Sequence, residues 1–257
     1  MPPASSPREL PLNPYAVEPL ATWETRLAEP GTSETRFRAF DAIAHLATPP
    51  ETCSHALRLL DDSDAELRAA AARWLSTAIR SNLLESELSP QAQTVFDRLQ
   101  ERLGDSDPDV RLEAARGLVW IAPESPQLEV AICGLLELEG TPSSTLAALA
   151  EVCGRLPHLS ERLSPYLRTS LTSHAAEVRE AAATAFARWG ARACAAETEL
   201  AAALEDEEPI VREQAAVALG QLDCAQAATL AVLREAASDE DSGVAAAAQA
   251  ALHRQGG

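Results

Sequence analysis

One pattern recurs along almost the whole chain and leaves few folds open to it. It is plain in DDSDAELRAAAARWL (61–75), GDSDPDVRLEAARGL (104–118), EDEEPIVREQAAVAL (205–219) and SDEDSGVAAAAQAAL (238–252). Each segment begins with an acidic turn, then an apolar residue followed by Arg or a substitute. Small residues follow at +3 and +4 and a larger apolar one at +7, counting the Arg as zero. The zero positions are Arg36, Arg68, Arg111, Arg179 and Arg212, and two more repeats keep the frame without Arg, at Thr145 and Ala245. The steps between them are 32, 43, 34, 34, 33 and 33 residues. The long step coincides with IRSNLLESELSP (79–90), read as an insertion between repeats two and three. A fixed period of this size marks a stacked array in which each repeat needs its neighbours to bury its apolar face.

Each repeat has room for two helices. In the second, +3, +4, +7 and +10 fall on one face of a 3.6-residue helix. These are Ala114, Ala115, Leu118 and Ile121 in repeat three, Ala182, Ala183, Phe186 and Trp189 in repeat five, and Ala215, Ala216, Leu219 and Leu222 in repeat six. The first helices are apolar stretches such as SHALRLL (54–60), QTVFDRLQERL (93–103) and LEVAICGLL (128–136). The acidic turns supply N-caps, and Pro108, Pro142 and Pro209 sit at −3, near a first turn where Pro is tolerated. Pro165 is expected to kink or restart the first helix of repeat five. Aromatics are only 4% while alanine runs recur, which suits closely packed helices rather than a sheet.

The pattern resembles the HEAT-repeat family, in particular the short bacterial repeats of phycobilisome-lyase HEAT-like proteins, over about residues 19–254. The resemblance implies an all-α fold, an α–α superhelix of about seven helical hairpins. Residues 1–18, rich in Pro and Ser, form an extended arm. Residues 19–257 form one solenoid with repeats near 19–47, 49–81, 90–122, 125–156, 158–190, 193–222 and 225–254. The resemblance also implies a structural ladder of the zero Arg residues Arg36, Arg68, Arg111, Arg179 and Arg212 with acids at −6. Those acids are Asp62, Asp105, Glu139, Asp206 and Asp239. Pro30 and Ser173 interrupt the series.

A net charge of −18 lacks the basic footprint that nucleic acid or an anionic membrane needs. All 21 basic residues are Arg, which removes lysine chemistry such as a Schiff base or a P-loop lysine. Cys53, Cys133, Cys153, Cys194 and Cys224 are widely spaced and odd in number, and read as thiols in a reducing compartment. No His at 45, 55, 158, 174 or 253 precedes a Glu, so the His-Glu iron ligands of the HEAT-like deoxyhypusine hydroxylases are missing. The first residues lack the apolar core of a signal peptide and no stretch approaches a membrane span. The expectation is a cytoplasmic monomer with no cofactor and no metal.

In HEAT solenoids the second helices line the concave side, which places +2, +5 and +9 in the groove, flanked by +1 and +6. Repeat one contributes Arg38, Asp41 and His45; repeat two Arg73 and Thr77 with Trp74; repeat three Glu113, Arg116 and Trp120. Repeat five contributes Arg188, repeat six Gln214, Val217 and Gln221, and repeat seven Arg254. Trp189 falls in the core and Trp23 caps the first repeat. Trp and Arg are enriched at binding hot spots, so Arg73, Trp74, Glu113, Arg116, Trp120 and Arg188 are the candidate partner-binding residues. The resemblance points to a non-catalytic scaffold or adaptor holding another protein. The alternative it implies is a phycobilin lyase-like or chaperone-type subunit acting on a partner protein.

Overall fold

The computed structural model describes residue 15 and residues 17–83, 90–157, 161–223 and 226–256. Every regular element among them is helical. The chain forms two compact bodies, Met1–Arg98 and Leu99–Gly257. The first holds α1 (Leu20–Ala28), α2 (Ser33–Leu46), α3 (Pro49–Leu59) and α4 (Ala65–Arg80), and the division falls inside α5 (Pro90–Arg102). The second continues with α6 (Pro108–Ile121), α7 (Pro126–Leu136), α8 (Ser143–Cys153), α9 (Leu163–Ser170) and α10 (Ala176–Trp189). It ends with α11 (Glu197–Ala202), α12 (Pro209–Leu219), α13 (Ala227–Ala236) and α14 (Ser242–Gly256). The fold is all-α and of the α–α superhelix class. No described helix is long and apolar enough to cross a membrane.

In the C-terminal body the second helices stack in series: α6 on α8, α8 on α10, α10 on α12 and α12 on α14. Their contact surfaces are small. A Cβ at Gly154 would stand 2.7 Å from Ala185 Cα, and one at Gly220 would stand 2.7 Å from Ala251 Cα. Both glycines have ordinary negative φ, so close approach of the next helix, not backbone conformation, demands them. The apolar stripe is buried as its period requires: Ala114, Ala115 and Leu118 in α6, Ala182, Ala183 and Phe186 in α10, and Ala215, Ala216 and Leu219 in α12. Trp189 is also buried, its indole N–H donating to Leu156 O at 3.1 Å.

Repeat four is set one residue later than the sequence frame places it. Six of the second helices start three residues before zero, at Ser33, Ala65, Pro108, Ala176, Pro209 and Ser242. The remaining one, α8, starts at Ser143, which makes Leu146 the zero position instead of Thr145. The glycines agree: Gly154 then stands at +8, as Gly220 does, and each faces an alanine at +6 of the following repeat. The slip arises in the loop before α8, where Gly140 takes a left-handed φ of 73° and itself becomes the −6 residue.

The ladder has a definite chemistry. Four zero Arg residues reach back to their own turn: Arg68 Nη1 donates to Asp62 O (2.9 Å), Arg111 to Asp105 O (2.7 Å), Arg179 to Ser173 O (2.9 Å) and Arg212 to Asp206 O (2.8 Å), while Arg36 Nε donates to Leu27 O (3.2 Å). The rest of the guanidinium reaches the −6 carboxylate of the following repeat. Arg36 Nη1 meets Asp62 (3.1 Å), Arg179 Nε meets Asp206 (2.7 Å) and Arg212 Nε meets Asp239 (2.8 Å). The same carboxylates accept the backbone N–H two residues on, from Asp64, Glu208 and Asp241. One acid therefore shapes its own turn and ties it to the previous repeat. Asp105 shapes its turn likewise, accepting Asp107 N–H at 3.0 Å. Around repeat four the series lapses. Gly140 and Leu146 occupy the slots, Glu139 is exposed and makes no ion pair with Arg111, and Ser173 keeps only the turn bond, to Ala175 N–H. An apolar cleft of about 530 Å³ lined by Leu136, Leu146, Tyr166 and Val178 lies at this gap.

Other expectations shift. Pro165 lies in the first turn of α9, so it starts that helix without kinking it. The first helix of repeat six is broken into 3-10 turns, Gly190–Ala196 and Ala203–Glu205, around α11. Cys194 is disulfide-bonded where a thiol was expected; Cys53, Cys133 and Cys153 are buried thiols, and burial pushes the Cys133 and Cys153 thiols up. Cys224 and His158 lie outside the described residues, as do most of the arm and of the insertion. Of the arm, Tyr15 is packed: its ring lies edge-on to Trp23 and against His45, and its hydroxyl donates to Asp41.

The Arg36 guanidinium holds Asp62 below the usual carboxylate range, and Arg212 does the same for Asp239. At Asp206 burial is the largest influence and acts upward, but the bonds from Arg179 and Glu208 N–H, with the charges of Arg179 and Arg212, outweigh it. A lowered folded pKa contributes stability that is full above the ordinary value of 3.8 and is lost as pH falls through the folded one. Thermal melts should therefore fall steeply below about pH 3.8, and Asp206→Asn should flatten that fall. Asp206→Ala strands a guanidinium that is 8% exposed and should cost about 3 kcal/mol at neutral pH by denaturant titration. Gly154→Ala and Gly220→Ala should each cost about 1–3 kcal/mol by forcing packed helices apart; unchanged midpoints would refute the close approach.

Candidate functional site

Three successive second helices, α6, α8 and α10, enclose an open groove of about 470 Å³. With repeat four in its corrected frame, +2, +5 and +9 of α8 are Ala148, Glu151 and Arg155. The same positions of α10 are Ala181, Thr184 and Arg188. The floor is small, with Ala147, Ala148 and Ala181 under Ser144 and Thr184. Three acids, Glu151, Glu177 and Glu180, line it together with Arg116 and Arg188. Ser143 donates to Glu177 at 2.6 Å, and that bond holds the Glu177 carboxyl below its ordinary range.

Arginines at and beside the groove are already engaged. The Arg155 guanidinium lies 3.8 Å from the centroid of the Trp120 ring, a cation–π geometry. Trp120 is still 41% exposed. Arg155 also approaches Glu151 at 3.5 Å, and Arg116 approaches Glu113 at the same distance. Arg188 makes no hydrogen bond or ion pair with any described residue. Burial, followed by the neighbouring Arg155 charge, pushes its guanidinium below its usual value, and Glu151 only partly opposes this.

The candidate residues separate by body. In the C-terminal body, Arg116 and Arg188 line the groove, and Trp120 adjoins it through Arg155. Glu113 does not face it: at 4% exposure it is buried behind Arg116, because α6 packs this position against its neighbours. In the N-terminal body, Arg73 is exposed and Trp74 half-buried on α4. Arg38 is exposed beside Glu34 (3.8 Å), Asp41 accepts from the Tyr15 hydroxyl, and His45 lies against the Tyr15 ring while staying exposed. Sequence reasoning missed Glu151 and Arg155. The start of α8 one residue late was the missing signal, and the glycine at the end of α8, matching that of α12, could have revealed it.

Residues 164–253 match the family model described as HEAT repeats. No curated protein matches the chain. Among solved structures, an engineered protein of the Northeast Structural Genomics Consortium is similar at a TM-score of 0.60 and 22% identity, over 93% of this chain and 68% of that one. A second engineered protein from the same consortium aligns at 0.57 and 21% identity, over 79% and 98%. The archaeal HEAT-like repeats protein of Thermococcus onnurineus NA1 aligns at 0.56 and 15% identity, over 88% and 98%. These likenesses establish the fold, an all-helical repeat solenoid, and the match to HEAT repeats lies on residues 164–253.

The Trp120–Arg155 stack gives a direct readout. Arg155→Gln should remove the cation over the ring and change Trp120 emission, read against a Trp120→Phe control. Identical spectra for the parent and Arg155→Gln would refute the contact.

Proposed function

We propose that the chain is a non-catalytic scaffold that holds another protein in the groove formed by its second helices. The observation that carries this reading is the groove itself: successive helices leave a small-residue floor between charged sides, with an exposed Trp beside it. A floor of Ala and Ser lets a partner's backbone come close, and Arg and Trp at the edge bury large area while keeping polar contacts. Arg116, Trp120, Arg155 and Arg188 are the contact residues in the C-terminal body. Arg73 and Trp74 are proposed as a further contact on the N-terminal body. Among the described residues no group of His, Cys, Asp and Glu is arranged to hold a metal. A lyase-type subunit would work on a partner protein too, but the open groove favours holding over catalysis.

The test is affinity for a partner captured from the source organism and then purified. Trp120→Ala should weaken binding by about 2 kcal/mol or more, and Ala148→Gln, which fills the floor, should weaken it at least about tenfold. Val130→Ser, an exposed change on α7, should have no effect. Equal affinity of all variants would remove the groove from the interaction.

A further inference from the structure

We propose that the turns of repeats three to five form a second contact surface, where Arg111 takes a carboxylate of a partner segment and the cleft beside Leu146 takes an apolar side chain of the same segment. The cleft shares no lining residue with the groove, and this surface does not depend on it. The chain itself shows what Arg111 is shaped to hold. Arg179 Nη1 donates to Ser173 O and His174 O, and Arg212 Nη1 to Asp206 O and Glu207 O. Their Nε and Nη2 then grip both oxygens of Asp206 and Asp239. Arg111 Nη1 makes the same two bonds, to Asp105 O (2.7 Å) and Ser106 O (3.1 Å), which sets its guanidinium in the same way. Its Nε and Nη2, however, meet no carboxylate of any described residue. Gly140 stands where the acid should be, and a Cβ built on it meets no atom within 4 Å. The slot is therefore open, and its two-pronged donor is already oriented, so little freedom is lost when a carboxylate enters.

The next slot along the ladder lacks both partners, with Leu146 and Ser173 in their places, and there the cleft of about 530 Å³ opens between Leu136, Leu146, Tyr166 and Val178. Arg111 and Leu146 are zero positions on neighbouring second helices, and packed helices lie about 8–10 Å apart. An extended chain advances about 3.1 Å per residue, so an acidic and an apolar residue three positions apart span both slots. The net charge of −18 and the exposed Glu137 and Glu139 on the intervening turn oppose an acidic segment. The intact rungs show that such neighbours do not prevent the bond: Arg179 holds Asp206 while Glu207 stands 3.2 Å from its Nη2.

The probe is a fluorescein-labelled Gly/Ser peptide carrying one Glu and one Leu three positions apart, made in both orders and measured by fluorescence anisotropy against the full chain. In one order the Glu peptide should bind at least about tenfold tighter than its Gln counterpart, and the Leu peptide at least about fivefold tighter than its Ser counterpart. Those comparisons need no variant. Arg111→Gln should abolish the Glu advantage and Leu146→Ser should reduce the Leu advantage, while Arg234→Gln on α13 and Ala148→Gln in the groove should retain both. Circular dichroism and melting midpoints establish that each variant is folded. Equal binding of the Glu and Gln peptides, preference for an Arg counterpart, or a Glu advantage that survives Arg111→Gln overturns the proposal. So does a Leu advantage unchanged by Leu146→Ser, or no binding at all. Loss of binding in Ala148→Gln also overturns it and moves the contact to the groove.

Discussion

The structure depends on how closely one second helix can lie against the next. Gly154 against Ala185 and Gly220 against Ala251 leave no space for another carbon atom, so backbone meets side chain directly. That contact fixes which residues are hidden. With +4 and +7 pressed into the stack, +5 and +9 turn outward, and the floor of the groove becomes a row of short side chains. Larger residues at the contact would separate the helices and dissolve both stack and groove. Burial of so much alanine yields little apolar area per residue, roughly 25 cal/mol for each Å² removed from water. Added to this are the guanidinium–carboxylate rungs, in which one Arg uses several donors.

Those rungs are stronger as geometry than as energy. A partly buried ion pair barely repays its desolvation, yet Asp206 and Asp239 each bond their own turn and the preceding repeat at once. A turn so held starts its helix at a set place, so register is copied from repeat to repeat. Where Gly140 and Leu146 break the series, the register moves by one residue. The two facts belong together: without the acid and the Arg, nothing holds repeat four to the common frame.

Much of this was legible in the sequence because it is periodic. The helix pairing, the buried stripe, Trp189 in the core and the Arg frame of five repeats follow from spacing alone. What was not legible depends on contacts between repeats. Repeat four has no Arg, so its frame could be drawn at Thr145 as easily as at Leu146, and the choice hid Arg155 and Glu151. Glu113 stands at a groove position by count, but α6 buries it. The Cys194 disulfide left no trace in spacing, since residues far apart along an array can be neighbours across it. The mixture of Glu and Arg lining the groove also escaped a reading based on net charge.

The lapse of the rungs around repeat four has a mechanical meaning. Elsewhere a shear between neighbouring hairpins must break directional bonds, which yield abruptly. At Leu146 and Ser173 the rung is replaced by single bonds nearer the helix ends, from Ser143 to Glu177 and from the Trp189 indole to Leu156 O. Within the C-terminal body the interface between α8 and α10 is thus held differently from the interfaces that carry rungs, and it borders the groove.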